Sequence, residues 1–258
     1  MTQIKTTLIG HMGSDLSTVN AARVSFGKQS DWDHSPCPDS HNMPPEIVSE
    51  DKKLTHKDTK LIRYLAKHKH LSPFGHAFSS FHVKAPIFVA RQLVKHKFLR
   101  WNEISRRYVD DEPEFYVPEV WRGKSADKKQ GSEGVVEGVW DLEVYSGALK
   151  EDNYGNLITP YESATTCTMN FMEAQMYFYK QLVDYGVAPE QARMVLPQST
   201  MTEWYWSGSL DAFASMCKLR CASDTQYESR IVADQISDVM RDLFPVSWDA
   251  LLQTGEKE

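Results

Sequence analysis

Lys95-His96-Lys97-Phe98-Leu99-Arg100-Trp101-Asn102-Glu103-Ile104-Ser105-Arg106-Arg107 is the densest run of chemistry in the chain. Thirteen residues, under four turns if helical, hold two Lys, three Arg and a His against a single Glu. A solvated helix would normally set acids one turn away from its cations. Here five full cations face one acid, and Phe98, Trp101 and the following Tyr108 add flat apolar surface. Cations beside aromatic rings suit an anionic, planar ligand such as a nucleotide, a flavin or nucleic acid.

Outward from this run, Phe81 and Val83 alternate with His82 and Lys84, which predicts a half-buried strand over 79–84. Pro86 then suits the first turn of a helix carrying Ile87, Ala90, Gln92, Leu93, Val94 and His96, its far end pointing into the cationic run. Upstream, 15–26 reads as a short helix, and helical periodicity over 60–66 ends before Pro73. Residues 28–56, with Pro36, Pro38, Pro44 and Pro45, and the Gly- and Lys-rich 111–159 are expected as loop insertions. Long loops in compact domains are often functional. Downstream, a helix from Thr159-Pro160 should stop at Gly186, and Pro189 should open a short one through Val195. Aromatic 202–206 reads as a strand, and Ser209 as the N-cap of a helix ending at Arg220. A last amphipathic helix over 226–244 turns Ile231, Ile236, Val239, Met240 and Leu243 inward and closes at Pro245. Helix exceeds strand and no linker divides the chain, so the expectation is a single α+β domain over 1–258.

A length of 258 residues supports a full core. The net charge of −6 disfavours bulk nucleic-acid binding and favours a discrete anion pocket. No apolar run approaches the roughly 20 residues of a membrane span, and Met1-Thr2-Gln3-Ile4-Lys5 lacks a signal-like apolar region; cytoplasm is expected. Cys37, Cys167, Cys217 and Cys221 are too few and scattered for a disulfide framework. Cys217 and Cys221 share a helix spacing, but without companion ligands they predict no metal site. Cys37 lies in a Pro-rich turn with no neighbouring base, a poor setting for a nucleophile.

Spacing narrows the reading. Lys95-His96-Lys97, seven residues and then Ser105 resemble the Arg-His-Arg-x7-Ser signature of the flavin-dependent thymidylate synthases. His70-x-Ser72-Pro73-Phe74-x-His76 and Phe81 to Gln92 resemble the segment before that signature, and Asn102-Glu103-x-Ser105-x-Arg107-Tyr108 its close. Ala21 to Phe26, Ala192 to Pro197, Leu219-Arg220 and Gln226 match in family order.

This resemblance implies a small antiparallel sheet flanked by long helices, of the thymidylate synthase-complementing type. It also implies reductive methylation of dUMP to dTMP. Methylenetetrahydrofolate would be the carbon donor, FAD reduced by NADPH the hydride source, and no enzyme nucleophile would attack the base. By matching positions, dUMP would be held by Gln92, Leu93, Val94, Lys95, Glu103, Ile104, Ser105, Arg107, Arg193 and Arg220. Arg107 and Arg193 would grip the phosphate. Arg220 would stabilise charge on the pyrimidine, with Ser105 near the base as a binding group. FAD would be held by His70, Ser72, Lys95, His96, Lys97, Asn102, Glu103, Ser209, Asp211 and Ser215. The resemblance further implies a homotetramer with shared active sites.

Several positions depart from the family pattern. Lysines at 95 and 97 keep charge but lose the planar fork. Gly75 stands where many members have Glu, Ser209-Leu210-Asp211 replaces an Asn-x-Arg segment, and Asp224 replaces a His. Two of these bear on the adenine and pyrophosphate end of the cofactor. Alternative readings are a hydroxymethylating or dCMP-directed relative, and a nucleotide-binding homologue that has lost catalysis. Without the resemblance, Trp101, Trp204 and Trp206 read as core, and His82 as structural.

Overall fold

The computed structural model describes residues 3–33, 53–109, 111–126, 132–136, 143–145, 150–151, 153–155, 157–158 and 161–253. In chain order come β1 (Lys5–Met12), α1 (Asp15–Arg23), α2 (His56–Lys67), β2 (Phe78–Pro86), α3 (Ile87–Leu93) and β3 (Leu99–Glu103). Short strands follow: β4 (Arg122–Lys124), β5 (Ser132–Val135), β6 (Glu143–Tyr145), β7 (Lys150–Glu151), β8 (Leu157–Ile158) and β9 (Tyr161–Ser163). The chain ends with α4 (Ala164–Asp184), α5 (Pro189–Ala192), β10 (Met201–Ser209), α6 (Leu210–Arg220), α7 (Tyr227–Leu243) and α8 (Pro245–Gln253). The expected α+β class with a small antiparallel sheet and long helices is what the chain adopts.

That sheet runs β1-β2-β10-β3, antiparallel throughout. Its register explains its two faces. Val83 pairs with Trp204 and Phe81 with Trp206, so these four side chains share the buried face. Phe213 of α6 meets Phe81 at 5.3 Å and Trp206 at 5.7 Å, edge to face. The opposite face carries His82, which pairs with Glu203 at 2.9 Å, and Lys84, which pairs with Glu114 at 2.6 Å. His82 is thus structural, as expected. α7 adds Ile236 and Met240 to the core, while Ile231, Val239 and Leu243 pack at its edge.

The cationic run is not helical. α3 ends at Leu93, and Phe98 takes φ +66, which turns the chain into β3. Leu99 then faces inward and Arg100 outward, a strand's alternation that wins over helical continuation. Gly208 permits the close approach of β3, since a Cβ there would lie 2.3 Å from the Leu99 side chain. Three further boundaries differ from expectation. Pro86 ends β2 and α3 starts one residue later. α4 starts at Ala164, after a strand, while Thr159 and Pro160 lie outside the described residues, as do Cys37 and most of 28–56. Pro245 opens α8 instead of simply closing α7. Val246 N and Ser247 N of this last helix donate to the buried Asp15 carboxylate at 2.9 Å, tying the two ends of the chain together.

Candidate active site

A cavity of about 950 Å³, within the range that encloses small-molecule ligands, opens between α3, the end of α6, the start of α7, α4 and the segment 116–122. Of the residues expected to bind ligand, it brings together Gln92, Lys95 and Arg220. Arg220 Nε donates to His96 Nε2 at 2.9 Å. Burial, and then the neighbouring Arg220 charge, push the His96 imidazole down to about 4, so it is neutral at pH 7 and carries its proton on Nδ1. Burial also lowers Arg220, but a guanidinium stays charged. The pair is a cation held in place by a neutral acceptor, and it can offer its remaining N–H groups to charge developing on a ligand.

The other expected residues divide into two groups. On and after β3, Glu103 accepts from Thr202 Oγ1 at 2.7 Å and from Trp101 Nε1 at 3.1 Å. Ile104 N donates to Glu203 O, and Asn102 is exposed. Arg107 Nε donates to Ser105 Oγ at 3.1 Å and lies over the Tyr108 ring. The Ser105 hydroxyl thus meets a cation and the Arg107 backbone N–H rather than a base, which suits a binding group. Around the start of α6, His70 and Ser72 are exposed on the turn after α2, where His70 joins a ring cluster with Tyr64 and His68. Ser209 is the N-cap residue of α6, but its Oγ donates to Asp211 Oδ1 at 2.6 Å instead of bonding the helix backbone. Ser215 is exposed one turn on. Neither group lines the cavity, nor does Arg193, whose Nε donates to Glu190 O. Leu93 is fully buried, so only its backbone can reach a ligand; Val94 and Lys97 are exposed.

Among the described residues, Lys95, Lys97, Arg107, Arg193 and Arg220 have no carboxylate partner. Arg23, Lys84, Arg122 and Lys180 all do. Uncompensated cations of this kind are suited to an anionic ligand. The cavity wall also holds two buried polar atoms without a protein partner among the described residues, Trp121 Nε1 and Ser199 Oγ.

Sequence reasoning did not single out Tyr116, Arg122 and Glu228 as site residues. Arg122 pairs with Glu228, to which Tyr116 OH also donates at 3.4 Å, and all three line the cavity. Burial and the Glu228 charge push Tyr116 up to about 12. The only signal for this cluster was that Tyr116 and Arg122 belong to the long 111–159 segment.

Residues 7–246 match the family described as thymidylate synthase complementing protein. The chain belongs to that family. A flavin-dependent thymidylate synthase of Thermus thermophilus is 35% identical over 244 residues, covering 94% of this chain and 73% of that one. That of Thermosipho africanus is 32% identical, covering 97% and 91%. Among solved structures, the UMP/dUMP methylase PolB from Streptomyces cacaoi bound with 5-Br dUMP superposes with a TM-score of 0.68 at 27% identity. The match covers 99% of this chain and 97% of that one. The same methylase with 5-Br UMP gives 0.71.

A flavin dinucleotide fits the donor set of this family member. Lys95 and Lys97 are exposed, uncompensated cations for a diphosphate, and Trp121 Nε1 and Ser199 Oγ are donors to spare in the cavity that Lys95 also lines.

Proposed function

We propose that this chain, acting as one domain over 1–258, methylates dUMP to dTMP as a flavin-dependent thymidylate synthase. The observation that carries the reading is the uncompensated Arg220 in the cavity, held by neutral His96 within a family match spanning nearly the whole chain. Methylenetetrahydrofolate would supply the carbon and NADPH the electrons. When bound, FAD supplies the hydride that completes the methyl group. The side chains supply position and charge. Lys95, His96, Lys97 and Asn102 with His70, Ser72, Ser209, Asp211 and Ser215 would hold FAD. Gln92, Glu103, Ser105, Arg107 and Arg193 would hold dUMP, the two arginines on its phosphate. Arg220 stabilises negative charge as the pyrimidine loses its imide proton, an interaction stronger in the transition state than before it. His96 keeps the guanidinium oriented without adding a competing charge.

Arg107 and Arg193 stand outside the cavity that Gln92 and Arg220 line, so the proposal has a homotetramer complete each site from neighbouring subunits. Exposed Phe171, Tyr177 and Phe178 on α4 offer apolar surface for that contact. The buried free thiol of Cys217 fits a reducing cytoplasm. No helix among the described residues is long and apolar enough to cross a membrane.

The test is purified protein, checked first for yellow flavin absorbance, then incubated with methylenetetrahydrofolate, NADPH and dUMP, dCMP or UMP in turn. Product mass separates methylation from hydroxymethylation by one oxygen. Formation of dTMP from dUMP supports the reading; a colourless protein that takes up no FAD overturns it. Mixing inactive Arg107→Ala and Arg220→Ala chains should restore activity if sites are shared.

A further inference from the structure

Glu228, in the first turn of α7, is 5% exposed and belongs to no role assigned above. An ionised carboxylate only accepts, so every neighbour must turn a donor toward it. Arg122 and Tyr116 OH donate to Oε1, and Gln226 Nε2 donates to Oε2 at 3.3 Å. With its nitrogen turned to Glu228, the Gln226 amide turns its oxygen to Gln92, whose Nε2 donates to it. Gln92 Oε1 in turn accepts from Ser229 Oγ at 3.2 Å.

A glutamine amide on its own can sit either way round, since oxygen and nitrogen differ little in size. This chain of bonds removes that freedom from one end. Reversing Gln226 would set its oxygen against the Glu228 carboxylate, acceptor against acceptor. Reversing Gln92 would set two amide oxygens against each other. The bonds use one of the two N–H groups of Gln92 and one of its two acceptor sites. One of each is left over among the described residues, in a fixed sense, on a side chain that lines the cavity.

We propose that Glu228, acting through Gln226, is a positioning residue that fixes which way round Gln92 presents its amide to the nucleotide. The same carboxylate fastens the wall segment carrying Tyr116, Val120, Trp121 and Arg122, so wall and amide are set by one group. The role rests on the dUMP reading proposed above, and the experiment separates the two.

Flavin-loaded enzyme is titrated calorimetrically with dUMP, and steady-state KM, kcat and melting temperature are measured alongside. Gln226→Met breaks the relay and leaves the Arg122–Glu228 pair in place. Losing the partner that orients Gln92 should raise Kd and KM for dUMP about tenfold, with kcat changed no more than about threefold and melting little altered. Glu228→Gln swaps an acceptor-only group for one that can face either way; it should raise KM similarly and also lower the melting temperature. A merely structural role would move melting without this split between KM and kcat. If the wild type binds dUMP and both variants bind it equally well, the positioning role is overturned while the functional reading stands. If the wild type binds no dUMP, both fall.

Discussion

Arg23–Asp58 and Arg122–Glu228 are the same pair of charges in different surroundings. Asp58 is 2% exposed, and its partners all come from the first sixty residues. Arg23 Nε donates at 3.0 Å, Ser30 Oγ at 3.0 Å and Thr55 Oγ1 at 2.8 Å. Burial alone would raise that carboxyl, but the hydrogen bonds from Arg23, Thr55 and Ser30 outweigh it and hold the pKa below the usual range. The pair is closed: these donors are spent on joining α1 to α2. Glu228 is met by groups that come from the 111–126 segment and from the chain just before α7, and each of those groups also lines the cavity. A buried ion pair is therefore no guide to function by itself. What separates the two is whether the partners face a void or more protein.

The largest effect is expected at Arg220, a cavity guanidinium with no carboxylate partner among the described residues. Arg220→Ala should lower dTMP formation by about 10²- to 10³-fold, as for loss of one oxyanion-hole donor, while flavin absorbance stays. Single-turnover product formation beside the flavin spectrum checks this. Next comes the closed pair. Arg23→Met should cost about 3 kcal/mol in denaturant unfolding, the low end for breaking a buried pair because Thr55 and Ser30 still reach Asp58. Activity per folded molecule should hold.

Ligand linkage distinguishes the two pairs at a smaller scale. At one fixed concentration, about 100 times the wild-type Kd, dUMP should stabilise wild type and Arg23→Met by about 2.7 kcal/mol each. Arg122→Met should gain less, because its wall no longer seats on Glu228. Equal gains in all three chains would remove the distinction between a closed pair and a cavity-facing one.

Acid titration separates them again. His96 falls from 6.5 to about 4 on folding, so its contribution is present above pH 6.5 and is lost as pH drops toward 4. Asp58 is lowered from 3.8, so its contribution is present above that value and is lost only at still lower pH. Stability measured against pH should show both slopes, with His96→Asn flattening the upper and Arg23→Met the lower. Smallest of all, Cys37→Ala and Cys167→Ala should leave methylation unchanged; a dead Cys37→Ala enzyme would indicate a covalent thiol route instead.

The sequence carried the sheet where side chains alternate. Phe81 and Val83 against His82 and Lys84 specify a face, and the structure keeps it. It failed where tertiary contact overrides local pattern. The run after His96 carries no periodicity of its own, and it is the positive φ of Phe98 and the fit of Leu99 over Gly208 that make Leu99–Glu103 a strand. β1, mostly exposed, has no strong alternation to announce it. Within the site, the family blocks ending at Gln92, around Lys95 and at Leu219-Arg220 pointed to Gln92, Lys95 and Arg220, which the cavity gathers. Glu228 was not legible because its importance lies in partners 106 and 112 residues away, which no local pattern encodes.

Trp101 lies flat on Trp204 at 4.4 Å and 18°, and Trp206 meets Trp101 edge-on at 5.7 Å. Indoles that close couple their ultraviolet transitions, so this trio should give the folded protein a circular-dichroism couplet sensitive to the seating of β3 on β10. His96 stands 6.5 Å from the Trp206 ring. The protein thus carries an optical gauge beside its own chemistry, readable without a label: nucleotide or flavin entering the site should change the couplet, and a slipped edge strand should erase it.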